Sequence, residues 1–290
     1  MNSFLKALRL HQYVKNTLVF VPLFASHLYL NVSSVFSSVI AFVAFCLLAS
    51  GVYVINDLVD IESDRQHRTK CHRPFAAGDL SIGVGVVMIV ILILAAAALA
   101  ISLSPHFLLV LVCYFLLSTA YSFYLKRKLL FDVFTLAVLY TVRIIAGIAA
   151  IHGQYSEWLI TFSVFFFLSL AFLKRYSELF LLKKDSKSAA VGRGYIVDDL
   201  TQLSLFGTVS GYVSILVFAF YISSTQVAAL YHHPEYLWLV CLCLLYWISR
   251  VWLLATRGLI HEDPVIFALR DRASFLVIAG IVFIMLMACL

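Results

Sequence analysis

Residues 56–78 read NDLVDIESDRQHRTKCHRPFAAG, in which four acids (Asp57, Asp60, Glu62 and Asp64) are followed by four bases (Arg65, Arg68, Lys70 and Arg73). One apolar run ends at this stretch and another begins just after it. Across the 290 residues only 12% are charged and 63% are hydrophobic. Charge is costly beside lipid, so such a concentration of ionised groups needs something to hold.

The flanking runs decide the fold class. A mean hydropathy of +1.00 places the chain among integral membrane proteins. About 20 apolar residues in an α-helix cross a hydrocarbon layer ~30 Å thick. Nine segments meet that length: 14–31, 35–56, 81–103, 106–125, 132–151, 157–179, 203–223, 236–255 and 272–290. Runs such as VGVVMIVILILAAAALAISL show no alternation of apolar and polar positions, which excludes a β-barrel. The expectation is an all-α, polytopic membrane protein forming a single domain over residues 1–290. Lys6, Arg9 and Lys15 ahead of the first run imitate a secretory signal, but no small-residue cleavage site follows, so the run reads as a retained helix.

Charge then orients the chain. With nine spans, the N-terminus and the segments at the ends of helices 2, 4, 6 and 8 share one side, and they carry 20 of the 21 Lys and Arg residues; Arg143 lies inside helix 5. The positive-inside rule makes that side cytoplasmic, with the C-terminus outside, in a bacterial inner membrane. Of the 15 acids only Glu157 and Glu235 fall on the outer side. A cytoplasmic rim rich in both signs goes beyond what orientation requires and points to chemistry there. Nucleic acid is not implied as a partner.

On a helix advancing ~100° per residue, Asp57, Asp60 and Asp64 fall within roughly 60° of one another while Glu62 points away. Three like charges on one face repel, and an oxygen-preferring divalent cation is the simplest remedy. Magnesium keeps coordination positions for water and substrate phosphate, so a diphosphate is the natural ligand, with Asn56 placed to complete the shell by hydrogen bonding. Arg65, Arg68, Lys70 and Arg73 supply donors suited to phosphate oxygens. Attraction of juxtamembrane positives to anionic lipid is the plainer account of these bases, but it does not explain clustered acids.

NDLVDIESDR, in the pattern N-D-x-x-D-x-x-x-D, resembles the first aspartate-rich motif of the UbiA superfamily of intramembrane prenyltransferases, and the resemblance extends through the whole chain. It implies nine helices around a central cavity open to the cytoplasmic side. It also implies that Asp57, Asp60 and Asp64 bind Mg2+ as the catalytic and metal residues, with Asn56, and through the metal the donor's diphosphate. A second aspartate-rich motif belongs after helix 6 in most members, and here the sequence departs: LAFLKRYSELFLLKK offers Lys174, Arg175 and Glu178 instead. Basic residues there disfavour a second metal and favour a bare phosphate.

RLHQYVKNTLVFVPL, DVFTLAVLYTVRIIAGIAA, LKRYSEL and HEDPVIFALRDR, together with the opening stretch, resemble the decaprenyl-phosphate phosphoribosyltransferase branch of that superfamily. The branch implies phosphoribosyl pyrophosphate as donor, a polyprenyl phosphate as acceptor and release of pyrophosphate, with a role in cell-envelope arabinose synthesis. A homo-oligomer is compatible with it. Two other classes stay open: a prenyltransferase joining a polyprenyl diphosphate to an aromatic acceptor, and a transporter for an anionic metabolite, which lacks the expected internal repeat.

Further polar residues have two readings each. Lys174 and Arg175 suit a substrate phosphate and Glu178 suits orienting them or ribose hydroxyls, although Lys174 and Glu178 also have the i,i+4 spacing of a structural ion pair. Arg143 lies eleven residues beyond Asp132 on nearly the same helix face; a guanidinium at that depth needs a partner, either substrate phosphate or a buried polar group. Asp132 suits the start of helix 5 as a cap. Lys15 and Lys126 stand at the interface, as phosphate ligands or as anchors. VGRGY (191–195), with Arg193, can offer backbone amides to phosphate, and Asp263 before Pro264 marks a short covering helix. Gly207 and Gly211 read as a packing motif, and the six cysteines, five of them within spans, argue against a disulfide framework.

Overall fold

In a computed structural model, residues 3–66, 70–184, 194–260 and 263–290 are described; every regular element among them is helical. Among the described residues eight helices are long and apolar enough to cross a membrane: α1 (Val32–Val59), α2 (Ile82–Leu103), α3 (Pro105–Phe123), α4 (Phe131–Ala150), α5 (Glu157–Lys184), α6 (Leu200–Ile222), α7 (Leu237–Thr256) and α8 (Arg272–Cys289). Helices satisfy every backbone polar group internally, which hydrocarbon demands. The breaks are written in side chains. Asn31 caps α1 by accepting from the Ser34 amide, and Ser81 caps α2 by accepting from the Val84 amide. Ser104, ahead of Pro105, accepts from the Phe107 amide, and Asp271 caps α8 through the Ser274 amide.

The first expected span, 14–31, is formed differently from the others. A 3-10 helix covers Leu10–Phe20, a single α-helical turn covers Val21–Ala25, and a further 3-10 turn covers Leu28–Leu30. Left-handed backbone at Arg9 and His27 bounds the segment, and Pro22 stands where the helix type changes. A 3-10 rise of about 2.0 Å per residue lets these residues reach roughly as far as a longer α-helix would.

The contacts group the chain into two compact units. The first comprises Met1–Phe123 and Val142–Tyr155, the second Tyr124–Thr141 and Ser156–Leu290. In the first, α1 lies along α2, and Ala7, Val54, Phe75 and Leu80 form a core joined by Leu58, Ile61 and Val84. Gly85 belongs to this contact: a Cβ there would meet Phe75 and Leu58 within 2.9 Å. In the second unit α5 packs along α6, and α6 along α7. Gly207 and Gly211 make that approach close, since a Cβ at Gly207 would lie 2.1 Å from the Trp252 ring and one at Gly211 2.8 Å from Ile248. Trp252 donates to Ser169 Oγ and Trp247 to Ser274 Oγ, so both buried indoles are satisfied.

Candidate functional site

In the first unit the acidic stretch straddles a break in the helix. α1 ends at Val59, and Asp60 leaves helical geometry with φ −93° and ψ 8° before a short helix, Ile61–Arg65, begins. Backbone bonds bridge the break, from the Asp60 amide to Asn56 O and from the Asp64 amide to Asp60 O, so Asp57 and Asp64 remain on one side. Both are buried, and one atom joins them: Arg73 Nη1 donates to Asp57 Oδ1 at 3.2 Å and to Asp64 Oδ2 at 2.6 Å. Arg9 donates to the same Asp57 Oδ1 and lies over the Tyr53 ring, 5.0 Å from its centroid. Two carboxylates and two guanidiniums therefore neutralise one another.

Two further features of this cluster matter chemically. Asp64 Oδ1 is buried and has no hydrogen-bond partner among the described residues. Arg9 adopts φ 52° and ψ 50°, a left-handed conformation that a residue other than glycine or asparagine rarely takes. Asp60 and Asn56 are both half-buried, and the ion pairs of Arg9 and Arg73 among the described residues go to Asp57 and Asp64. Arg65 donates Nε to Ala76 O, Lys70 is exposed, and Arg68 lies outside the described residues.

Could these residues hold magnesium? Hard carboxylate oxygens converge here, and one is buried without a partner. No group of three His, Cys, Asp or Glu side chains converges as a metal cage among the described residues. One or two carboxylates, with the rest of the shell left to water and phosphate, is the donor set magnesium ordinarily takes. The residues fit that role through Asp57 and Asp64.

A second polar group in the same unit is fully buried. Arg143 donates Nε to Asn16 Oδ1 at 2.9 Å and Nη2 to the Tyr114 hydroxyl at 2.8 Å, and Asn16 in turn donates to Cys46 Sγ. Lys15, next to Asn16, is half-buried. Arg143 thus ties α4 to the 3-10 segment and to α3. A Cβ at Gly147, one turn on, would lie 2.2 Å from Val19 O, so backbone approaches backbone beside this tie.

The second unit holds Lys174, Arg175 and Glu178 on α5. Arg175 is 1% exposed and is clasped by Asp132, itself 0% exposed, through Nε and through Nη2 at 3.1 Å; its Nη1 reaches Glu178. Lys174 pairs with Asp263 at 3.3 Å, and Asp263 caps the short helix Pro264–Arg270 by accepting from the Val265 amide. The i,i+4 pair expected between Lys174 and Glu178 is replaced by these two pairings. Asp132, expected as a helix cap, directs its carboxylate to Arg175. Lys126 is half-buried in the turn Leu125–Arg127. Arg193 lies outside the described residues; Gly194, the next in sequence, sits against the backbone of Leu129.

Arg9 and Asp132 are the participants that sequence reasoning missed. Each meets its partner across more than forty residues, and although each opens a stretch that resembles the branch, its spacing names no partner.

Comparison with known proteins follows from this geometry. The model of the UbiA prenyltransferase family matches residues 19–270. The uncharacterized protein y4nM of Sinorhizobium fredii is 37% identical over 95% of this chain, which spans only 54% of that protein's length. The nodulation protein NoeC of Azorhizobium caulinodans is 33% identical over 96% of this chain and 91% of its own. A decaprenyl-phosphate phosphoribosyltransferase of Mycobacterium tuberculosis is 34% identical over 73% of this chain and 71% of its own. Among solved structures, a UbiA homolog from Archaeoglobus fulgidus bound to GPP and Mg2+ superposes with a TM-score of 0.73 at 14% identity, covering 97% of this chain and 99% of the other.

Proposed function

The chain belongs to the UbiA prenyltransferase family, and on that premise we propose that it transfers 5-phosphoribose from phosphoribosyl pyrophosphate to a polyprenyl phosphate. The products are phosphoribosyl-phosphopolyprenol and pyrophosphate. The observation that carries the reading is Arg175. Where most of the family is expected to set a second cluster of aspartates, this chain sets a guanidinium between Asp132 and Glu178. That position has a fixed monovalent cation in place of acids free to take a metal. One acidic pair with a spare oxygen, surrounded by bases, suits a donor and an acceptor that bring their own phosphates. Relatives named decaprenyl-phosphate phosphoribosyltransferase support the same reaction class.

The chain's residues act by binding and orienting. Asp57 and Asp64, with Asp60 at the helix break, would hold the donor's magnesium. When bound, the metal neutralises charge that develops on departing pyrophosphate. Arg9, Arg65, Lys70 and Arg73 surround the same stretch with phosphate donors. In the second unit Lys126 and Lys174 are ammonium groups suited to a phosphate, and Arg175 fixes Glu178, a carboxylate suited to ribose hydroxyls; Lys15 is a further phosphate-binding candidate in the first unit. Arg143 keeps Asn16 and the 3-10 segment in register. The lipid phosphate oxygen, ionised at neutral pH, attacks ribose C1 as the C1–O bond to pyrophosphate breaks, so no strong general base is needed. Catalysis is positioning and electrostatics. The segregation of Lys and Arg supports a site on the cytoplasmic side of an inner membrane, with the N-terminus on that side.

Transfer of radiolabelled ribose from phosphoribosyl pyrophosphate to polyprenyl phosphate, by purified protein in detergent with magnesium and with EDTA, tests this. The expected result is a magnesium-dependent, acid-labile lipid product. Incorporation of a polyprenyl diphosphate into an aromatic acceptor, with no ribose transfer, would replace the proposal with ordinary prenyl transfer.

A further inference from the structure

We infer that Arg9 and Arg73 close the acidic pair to a bare metal ion, so that the metal enters only together with a diphosphate, to which both arginines then transfer. The inference rests on the metal-diphosphate reading above and gives Arg9 and Arg73 a second task, that of excluding the bare ion.

Charge is the first step. Asp57 and Asp64 contribute two negative charges, Arg9 and Arg73 two positive ones, and all four are joined through Asp57 Oδ1 and Arg73 Nη1. A divalent ion added alone would face two guanidiniums already bonded to its ligands and leave the cluster doubly positive. A divalent ion added with a diphosphate brings its own compensating charge and also offers the arginines acceptors that match their fork.

Freedom to move is the second step. Both carboxylates are 2% exposed, yet Arg9 and Arg73 are 23% and 26% exposed, so the guanidiniums sit at the open edge of a buried pair. Arg73 reaches both acids through a single nitrogen, which leaves the rest of its fork available to another acceptor.

Position is the third. The left-handed backbone at Arg9 is the start of the 3-10 segment, and Tyr53 lies under its guanidinium from the α1 turn before Asp57. A strained residue held by an aromatic face and a carboxylate is placed, not incidental. Asp64 Oδ1, buried and without a partner among the described residues, is the coordination position that the arrangement leaves ready.

Manganese, which takes the same oxygen ligands as magnesium and is read directly by EPR, tests the inference without turnover. Binding of Mn2+ is measured on wild-type protein and on Arg9→Gln, with and without pyrophosphate. Wild type is expected to bind Mn2+ at least about tenfold more tightly when pyrophosphate is present. Arg9→Gln is expected to bind bare Mn2+ more tightly than wild type and the manganese–pyrophosphate pair more weakly. Equal affinity of wild type with and without pyrophosphate would overturn the inference and leave the metal-diphosphate reading standing. So would a variant that weakens bare Mn2+ binding, since Arg9 would then merely shape the pair. If wild type binds Mn2+ under neither condition, the metal-diphosphate reading fails first and takes this inference with it. The wild-type comparison decides the matter even if the variant does not fold.

Discussion

Arg73 and Arg175 each stand between two carboxylates, and they are built for opposite purposes. Arg175 is buried, grips Asp132 with two nitrogens and reaches Glu178 with a third. Arg73 is 26% exposed and holds Asp57 and Asp64 by one nitrogen. A guanidinium sealed on every side is a fixed part of the fold, whereas one at the edge of a buried pair can be exchanged for another cation. The same arrangement, one guanidinium between two carboxylates, thus gives a permanent cation in the second unit and a replaceable one in the first.

The largest effect that would break this contrast comes from Asp132→Ala. Removing one partner from a buried pair leaves an uncompensated charge and costs about 3–5 kcal/mol. Thermal unfolding in detergent should drop by on the order of 10 °C, or folded protein should be lost altogether. An unchanged melting temperature would mean that Arg175 is hydrated and as exchangeable as Arg73.

Asp57→Asn is expected to do the reverse. Its partners sit at the edge and can turn to water, so unfolding should shift by no more than a few degrees. The proposed ribose transfer should fall by about 10²–10³-fold, the loss expected when an electrostatic stabiliser of the transition state is removed. Wild-type turnover in magnesium would remove Asp57 from the metal site.

Arg175→Lys sharpens the distinction at a smaller scale. An ammonium keeps the charge but cannot grip Asp132 with a fork and reach Glu178 together, so about 1–2 kcal/mol should be lost while Asp132 stays paired. A neutral effect on unfolding would show that charge alone holds the triad.

How much of this was readable beforehand follows from the range of each interaction. Hydrophobic runs located α1 to α8 within a few residues because a spanning helix is a local property of about 20 positions. The first span met the same apolar test but is broken by left-handed backbone at Arg9 and His27 and by a change of helix type at Pro22, which an apolar window does not register. Asp57 and Asp64 were readable from helical spacing, but the break at Asp60 was not, since nothing in DLVDIESD announces it. Arg143 declared its need for a partner by its depth; that the partners are Asn16 and Tyr114 depends on packing across 127 and 29 residues. Pairings such as Arg9 with Asp57 have no periodicity and become visible only in three dimensions.

A third arginine separates the two variables that distinguish Arg73 from Arg175. Arg250 grips Asp271 with two nitrogens, at 2.7 and 3.0 Å, as Arg175 grips Asp132, but both side chains remain partly exposed, as in the first unit. Burial raises the Asp271 carboxyl, and this is outweighed by hydrogen bonds from Arg250 and Ser274 and by the guanidinium charge, so the group lies below the ordinary carboxylate range. A carboxyl whose pKa is depressed by folding contributes stability that is present above its unfolded value, about 4, and is lost as the pH falls through the folded one. Asp271→Asn keeps an acceptor for the Ser274 amide and so removes the charge while sparing the helix cap. The variant should therefore melt slightly below wild type between pH 5 and 8, by the equivalent of about 1 kcal/mol or less, and the gap should close below about pH 4. If exposure decides how firmly an arginine is held, this small, salt-sensitive gap is what a two-nitrogen grip at the surface gives. A gap as large as that of Asp132→Ala would instead assign the permanence of Arg175 to its grip and not to its burial.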